Sequence, residues 1–553
     1  MAALYAGGIP YASCEIHYGR FGWGPFEAVF LVNYLLFGVT AIGLGGAGVA
    51  SLAGERLASL FDRLAELSPA TVVASAAAAL FVLITLVRLG LLRDTAITDD
   101  ENVYTFMARI FATGRLYAPS PPEPIRAFFD NQFVVNNGKW YGMFFPGHGF
   151  LLAIGQWLGA LRWVPTVSAI LTALLAFLVA RRLLGRRAAV LTLMLLVLSP
   201  YFVMSSATLL AHSTAALFLM TFLYWILRAQ DTGASLLWWL AAGLALGWAG
   251  LTRPLAAAAF AVPWIVWLAI RLPRDRASRR VAGTGLFVLG GAIAFAVLCA
   301  YNLALAGAPL TTGYQTYSAL YRFPVDTGAV QAPLPLPSLY ELGYTLERFD
   351  FWLFGWPVSL VPLCFFRRTV ESVLVLLASA AVVVAYGAST LPTINATGPA
   401  HYSELAAPLV LLSASGLDRL VERARAGAVP GGERFVLGAA VAAIACAVLV
   451  FVPVYASSLR AMSAVARSPY DLVERRGLGR AVVFVHSLPS LTWRPGAWVY
   501  YHRNNSPDLS DPVLFVRDLG AEKNQALIRA MPDRAPLAMG VRDTELLLVP
   551  LRR

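Results

Sequence analysis

The sequence has little charge, few cysteines and almost no lysine. Only 13% of its 553 residues are Asp, Glu, Lys or Arg, about half the share of a soluble globular domain. So few charges cannot cover the surface of a soluble protein this long, and a disordered chain would be far more polar. The four cysteines, Cys14, Cys299, Cys364 and Cys446, form no CxxC pair, and the last three lie in apolar runs. Neither a disulfide framework nor a thiolate metal site is expected. No HExxH, GxSxG or P-loop pattern occurs. No basic stretch followed directly by an apolar run opens the chain, so a cleavable signal peptide is not expected. One formal match misleads. Gly43-Leu44-Gly45-Gly46-Ala47-Gly48 has the GxGxxG spacing, but it ends an apolar run and a second apolar run follows. Small residues at that spacing let membrane helices approach closely, which is the simpler reading.

What the chain does have is apolar length. Hydrophobic residues make up 58% of it, and its mean hydropathy is +0.66. The runs are continuous instead of alternating, which predicts spanning helices and excludes a barrel. Segments of spanning length, about 17–25 residues, fall near 26–50, 71–92, 163–181, 188–203, 205–227, 234–251, 255–271, 281–304, 351–366, 369–389, 403–418 and 435–457. The shorter run 147–160 reads as an interfacial or re-entrant helix. The expected fold is therefore an all-α polytopic membrane protein of about 12 transmembrane helices.

Charge sets the orientation. The formal net charge is +12, and every basic residue but Lys139 and Lys523 is Arg. Arg181, Arg182, Arg186 and Arg187 form one cluster; Arg271, Arg274, Arg276, Arg279 and Arg280 a second; Arg367 and Arg368 a third; Arg419, Arg423, Arg425 and Arg434 a fourth. With the spans above, all four fall on one side, the side that collects Arg in membrane proteins, the cytoplasm. The positive balance is accounted for in this way, and no nucleic acid partner is expected. Segments 93–146, 305–350, 390–402 and the tail after about 457 then lie outside. The tail changes composition: "AVVFVHS" (481–487), "PVLFVRD" (512–518) and "TELLLVPL" (544–551) read as strands and "GAEKNQALIRAM" (520–531) as a helix, a small α/β appendage. The division expected is 1–70 with an extra transmembrane helix, a core at 71–457 and an outer tail at 458–553.

Chemistry concentrates on the outer side. Asp99, Asp100 and Glu101 are consecutive just past a span end. One acid is a good helix start, but three adjacent acids at a membrane boundary repel one another and resist desolvation. The segment 128–150 follows, dense in Phe, Trp and Tyr, Tyr141 among them, with Asp130, Lys139 and His148 interleaved. Alone it reads as an aromatic belt; its polar groups are also candidates for a phosphate or sugar. Arg253 in "LTRP", and His401, Tyr402 and Glu404 in "GPAHYSELAAP", add polar groups from other outer turns. His212, inside an apolar run, reads as a packing histidine or a ligand. Scattered histidines give no zinc site.

The stretches "TDDENVYTFMARIFATGRLYAP" (98–119), "NNGKWYGMFFPGHGFLLAIG" (136–155), "GLTRPLAAAAFAVP" (250–263) and "GPAHYSELAAPLVLLSASGL" (398–417) together resemble the GT-C superfamily of polyprenyl-phosphate-sugar-dependent glycosyltransferases. The likeness is to bacterial relatives of protein O-mannosyltransferases and of the lipid A aminoarabinose transferases, over roughly 71–457. It implies that Asp100 is the catalytic base, with Asp99 its rival and Glu101 completing the acidic motif. It also implies that Lys139, Arg253 and His401, with Tyr402, His148 and Tyr141 nearby, hold the donor phosphate or sugar.

The expected function is a transfer of sugar from a polyprenyl-phosphate donor to an acceptor hydroxyl, with inversion, on the periplasmic face of a bacterial inner membrane. The acceptor is a lipid, a glycan or a protein. No cofactor is implied, although Asp99 and Asp100 could hold a divalent cation. The alternative is a multi-span transporter or flippase, which would carry its functional charges near the bilayer midplane.

Overall fold

A computed structural model describes residues 25–271, 278–321, 346, 348–356, 358–388, 397–427, 431–486, 488–489, 498–499, 503–542 and 545–551. Much of the expected outer segment 305–350 lies outside the described residues. The protein is a multi-pass helical membrane protein with a small C-terminal sheet. Among the described residues six helices are long and apolar enough to cross a membrane: Pro69–Leu91, Leu161–Leu183, Pro254–Arg271, Arg279–Ala306, Val370–Gly387 and Gly432–Arg475. The other runs fold as Pro25–Arg63, Arg186–Leu198, His212–Ala229, Leu237–Thr252 and Ala406–Ala426. Helix is the form that satisfies every backbone amide within its own segment where lipid offers no partner.

Two expected spans differ. Among its described residues the segment 351–366 forms no spanning helix, since helix ends at Trp352. Gly355 takes a φ of +70°, and the Asp350 carboxylate accepts hydrogen bonds from the amides of Val358 (2.8 Å) and Leu360 (2.9 Å). A short 3-10 turn, Val361–Phe365, follows. It lies so close to the helix Ala406–Ala426 that a Cβ on Gly416 would stand 1.7 Å from the Pro362 carbonyl oxygen. The run 188–203 breaks at Ser199: Pro200 has no amide hydrogen to continue the helix, and the Ser199 hydroxyl caps a new short helix through the Phe202 amide at 3.2 Å. Periodicity registers apolar content but not these local breaks.

The glycines of the misleading GxGxxG match sit at a helix crossing. A Cβ on Gly46 would lie 2.8 Å from the Ala439 backbone, and one on Gly438 would lie 2.4 Å from the Gly46 carbonyl oxygen. The helix Pro25–Arg63 thus packs backbone to backbone on Gly432–Cys446, as small residues permit in a membrane.

Arginines from three of the clusters, 181–187, 367–368 and 419–434, meet at one end of the bundle. Arg187 pairs with Asp418 and with Glu422 at 3.0 Å, Arg367 reaches the same Glu422 at 3.5 Å, and Arg425 pairs with Asp62 at 2.8 Å. Arg186 caps the Leu67 carbonyl at 2.7 Å.

The opposite end carries the outer segment and the tail. Strand Lys139–Gly142 lies between Ala118–Pro119 and Val134–Asn136. In the tail, strand Ala481–Val485 runs parallel to both Val513–Arg517 and Ala535–Arg542, and Glu545–Pro550 pairs antiparallel on the far side. Three of these strands and the helix Ala521–Ala530 match the sequence expectation; the strand Ala535–Arg542 is an addition to it, because its Pro, Gly and alanines carry little β-signal. The tail is docked, not tethered: Val482, Phe484, Leu514 and Val516 share one buried apolar cluster with Phe128, Val134 and Trp140 of the outer segment.

Candidate active site

The acidic triplet opens the helix Asp99–Ala112, and its three carboxylates have separate fates. Glu101 turns back on the chain. Its Oε1 accepts from the amides of Ile97 (2.9 Å) and Thr98 (3.2 Å), and its Oε2 from the amide of Leu209 (2.8 Å). The side chain is buried and saturated, so its geometry is that of a cap tying the helix start to the 205–211 turn. That leaves Asp99 and Asp100 unclaimed by the cap. Among the described residues neither has a hydrogen bond or an ion pair, and both are partly open.

Their surroundings are poor in water. Burial lifts the Asp99 carboxyl to about 6. Burial, and then the charge of Asp99, lift Asp100 to about 7, against the pull of Arg253. The helix start favours an anion at these positions but does not outweigh lost hydration. A carboxylate ionising near 7 can both accept and release a proton at neutral pH.

Across from Asp100 stands Arg253, at the turn where Pro254 ends the helix Leu237–Thr252. The guanidinium is locked. Nε donates to Glu404 Oε1 at 3.1 Å, and Nη2 to the Tyr386 hydroxyl at 2.5 Å and the His401 carbonyl at 3.3 Å. Nη1 makes no hydrogen bond among the described residues. The other oxygen of Glu404, Oε2, meets His212 Nδ1 at 2.9 Å. Burial works against ionisation of Glu404, yet Arg253 and His212 hold it below the usual carboxylate range. Burial first, then Arg253, hold His401 down to about 3, so its ring is neutral. Tyr104, one helical turn after Asp100, and Tyr314 both lie within electrostatic reach of Asp100 and of Arg253. A carboxylate without a hydrogen bond, a fixed cation with a free donor and two phenols thus border one polar site.

The loop that carries His401 is clamped. Gly398 takes a φ of +94°, and a Cβ there would strike Tyr201 and Trp352 at 2.7 and 2.9 Å. The Tyr201 hydroxyl donates to the Pro399 carbonyl at 2.6 Å.

Of the residues singled out from sequence, the structure brings together Asp99, Asp100, Arg253 and His401, with Tyr402 buried behind them against Tyr386 and Phe349. Glu404 and His212 stand behind Arg253 as described, and His148 packs edge-on against the Tyr104 ring at 4.8 Å. Lys139 Nζ donates to the Ala304 and Leu305 carbonyls at 2.6 and 3.2 Å, capping the end of the helix Ser278–Ala306. His148 is fully buried, with one ring nitrogen at the Thr214 hydroxyl (2.8 Å) and the other at the Leu209 carbonyl (2.9 Å). Tyr141 is buried in the strand Lys139–Gly142. Tyr386, Tyr104 and Tyr314 join the site without having stood out in the sequence. Only Tyr104 carries a sequence signal, its position four residues after Asp100 on the same helix face. Among the described residues no group of three or more His, Cys, Asp or Glu side chains is placed to hold a metal ion.

Residues 146–302 match the model of the dolichyl-phosphate-mannose-protein mannosyltransferase family. No curated protein sequence matches the chain. Among solved structures, ArnT from Cupriavidus metallidurans bound to undecaprenyl phosphate is similar with a TM-score of 0.54 at 16% identity, covering 87% of this chain and 97% of that one. Its apo form gives the same values. AglB from Archaeoglobus fulgidus, in complex with an inhibitory peptide and a dolichol-phosphate, reaches a TM-score of 0.43 at 14% identity, over 70% of this chain and 56% of that one. The matched segment carries Arg253, and over most of its length the chain has an ArnT-like fold.

Proposed function

We propose that the protein transfers a sugar from a polyprenyl-phosphate donor to an acceptor hydroxyl, with Asp100 as general base. The observation that carries this reading is the pairing of an unbonded carboxylate, Asp100, with a guanidinium, Arg253, whose Nη1 is left for an anion. The donor phosphate rests against Arg253, which Glu404 and Tyr386 hold in place before the donor arrives; such preorganisation stabilises the charge that grows on the departing phosphate. Asp100 takes the acceptor proton as the hydroxyl attacks the anomeric carbon from the face opposite the phosphate, and the configuration inverts. The Tyr104 and Tyr314 hydroxyls orient sugar or phosphate oxygens beside them. Bringing both substrates to one site contributes further to the rate.

The arginine-rich end faces the cytoplasm on the positive-inside rule. The site, at the other end, then opens to the periplasm of a bacterial inner membrane. A transporter would place its working charges near the bilayer midplane; the Asp100–Arg253 pair stands at the end of the bundle instead. The test is purified protein in nanodiscs with a panel of polyprenyl-phosphate sugars, with and without cell-envelope extract, read by mass spectrometry for released polyprenyl phosphate. One responding sugar names the donor. No release from any donor by folded protein would turn the reading towards transport.

A further inference from the structure

Asp99 and Asp100 open their helix without a side-chain hydrogen bond among the described residues, so their position is inherited from the chain that leads into them. The helix Pro69–Leu86 ends in a π-helical turn, Val87–Leu91. Arg93 and Asp94 then take φ of +52° and +54°, the left-handed region that L side chains avoid and that Asp and Asn enter most readily. Two such residues in succession persist only where their surroundings hold them. The holding contacts come from three elements. On the near side, the Asp94 amide donates to the Arg88 carbonyl at 2.9 Å. The Asp94 carboxylate lies between two guanidiniums, with Arg88 Nε 3.4 Å from one oxygen and Arg162 Nε 3.4 Å from the other. Arg88 is itself fixed, since Nη1 donates to the Arg162 carbonyl at 2.9 Å and the guanidinium stands 3.8 Å from the Trp163 ring centroid. On the far side, the helix Val452–Arg475 is strapped along the turn. The Ser463 hydroxyl donates to the Leu91 carbonyl at 2.7 Å, and Arg467 Nη1 to the Arg93 carbonyl at 3.1 Å. Asp471 accepts from Arg467 Nε at 2.6 Å and pairs with Arg93 at 3.3 Å.

We propose that Asp94 is a positioning residue for the transfer. By tying the Arg93–Asp94 turn to Arg88 and Arg162 it sets where Asp99 and Asp100 stand against donor and acceptor, with Arg467 as the second brace. The inference rests on the transferase reading above. Residues 95–98 are all that separate Asp94 from Asp99, and the amides of Ile97 and Thr98 are already bound to Glu101 Oε1. Glu101 anchors the helix start to the 205–211 turn, and the Arg93–Asp94 turn anchors the chain before it to Arg162 and to the helix Val452–Arg475. The two aspartates stand between these anchors, with little slack to absorb a shift of either. A misplacement of about 1 Å at reacting groups can cost about a hundredfold in rate. The donor phosphate rests on Arg253, which Glu404 and Tyr386 hold separately, so loosening the turn acts on the rate and spares donor binding.

The test uses the full chain in nanodiscs with the donor named by the release assay and envelope extract as acceptor. Donor-binding sites are counted on the same nanodiscs, so that each rate is expressed per competent site and an unfolded fraction drops out. Asp94→Asn removes the charge and keeps a residue that accepts a positive φ; Asp94→Gly removes the side chain and relaxes the backbone. In both, kcat per site should fall about tenfold or more, with the KM and Kd for the donor within about twofold. Arg467→Gln should move kcat the same way by a smaller factor. Gly438→Ala, at the helix crossing with Pro25–Arg63, lowers stability away from the turn and should leave kcat per site unchanged. An unchanged kcat per site in the Asp94 variants, or a loss that follows a rise in the donor Kd, overturns the proposal. Should neither Asp94 variant fold, an unchanged kcat per site in Arg467→Gln overturns it. No release by the wild type from any donor overturns the transferase reading instead.

Discussion

Asp100 is held at a cost to stability, and the cost has a definite pH dependence. An ordinary aspartate ionises at 3.8, whereas in the folded protein burial and the neighbouring Asp99 lift Asp100 to about 7. A raised carboxyl favours the protonated form on folding, so its penalty is absent below the unfolded value. The penalty grows between 3.8 and 7 and is complete above 7. At about 1.4 kcal/mol per tenfold change, keeping Asp100 charged in the folded protein costs about 4 kcal/mol at pH 8 and about 2 kcal/mol at pH 5. Asp100→Asn keeps the shape and removes the titration. The variant should therefore unfold at a higher temperature than the wild type at pH 8, and the difference should narrow steadily as the pH falls to 5. Thermal unfolding in one detergent, at matched ionic strength and with both proteins across that range, makes the comparison. Equal midpoints at pH 8, or a gap that widens towards acid, would refute the argument that the motif stores an unfavourable charge.

The rate of polyprenyl phosphate release should rise with pH through about 7 as Asp100 loses its proton, and a profile flat from pH 5 to 8 would remove Asp100 from the base role. Glu404→Gln leaves the Arg253 guanidinium facing a neutral amide in a buried site and should destabilise the protein by about 3–5 kcal/mol, measured by unfolding in detergent; Glu404 is fully buried with both oxygens engaged, so an unchanged midpoint would contradict the pairing. Gly438→Leu should push apart the helices Pro25–Arg63 and Gly432–Cys446 at a cost of about 1–3 kcal/mol, whereas Gly43→Ala, with open space around it, should be nearly neutral by the same measurement.

The class of fold was legible because it depends on composition and length, which membranes constrain strongly. Eleven of the predicted apolar runs fall on helices, and the helix and three strands of the tail fall where alternation and periodicity put them. The run 351–366 departs from expectation because its apolar content is that of a span, while a backbone turn at Gly355 and the amide contacts of Asp350 decide its shape. The two aspartates stand out as charges with no local explanation. Their partner Arg253 is readable only as an arginine at an outer turn. That it is clamped by Glu404, Tyr386 and the His401 carbonyl depends on contacts 133 to 151 residues away in the chain. Lys139 and His148 draw attention for being polar among aromatics, yet each satisfies backbone carbonyls that helix ends and turns leave open, a demand invisible before the fold is known. Glu101 shows the limit most clearly. It is adjacent to Asp100 in sequence, but one residue along a helix is a rotation of about 100°, enough to turn it from the open site into the cap.

If Asp100 is the base of a sugar transfer from a lipid phosphate, its loss acts on the rate and spares donor binding. The most direct measurement compares wild type and Asp100→Asn for polyprenyl phosphate release at pH 8 with the responding donor and envelope extract, with donor binding measured on the same nanodiscs. The expected result is a loss of about 10²–10⁴-fold in rate with donor binding nearly intact. Release by the variant at the wild-type rate would contradict it.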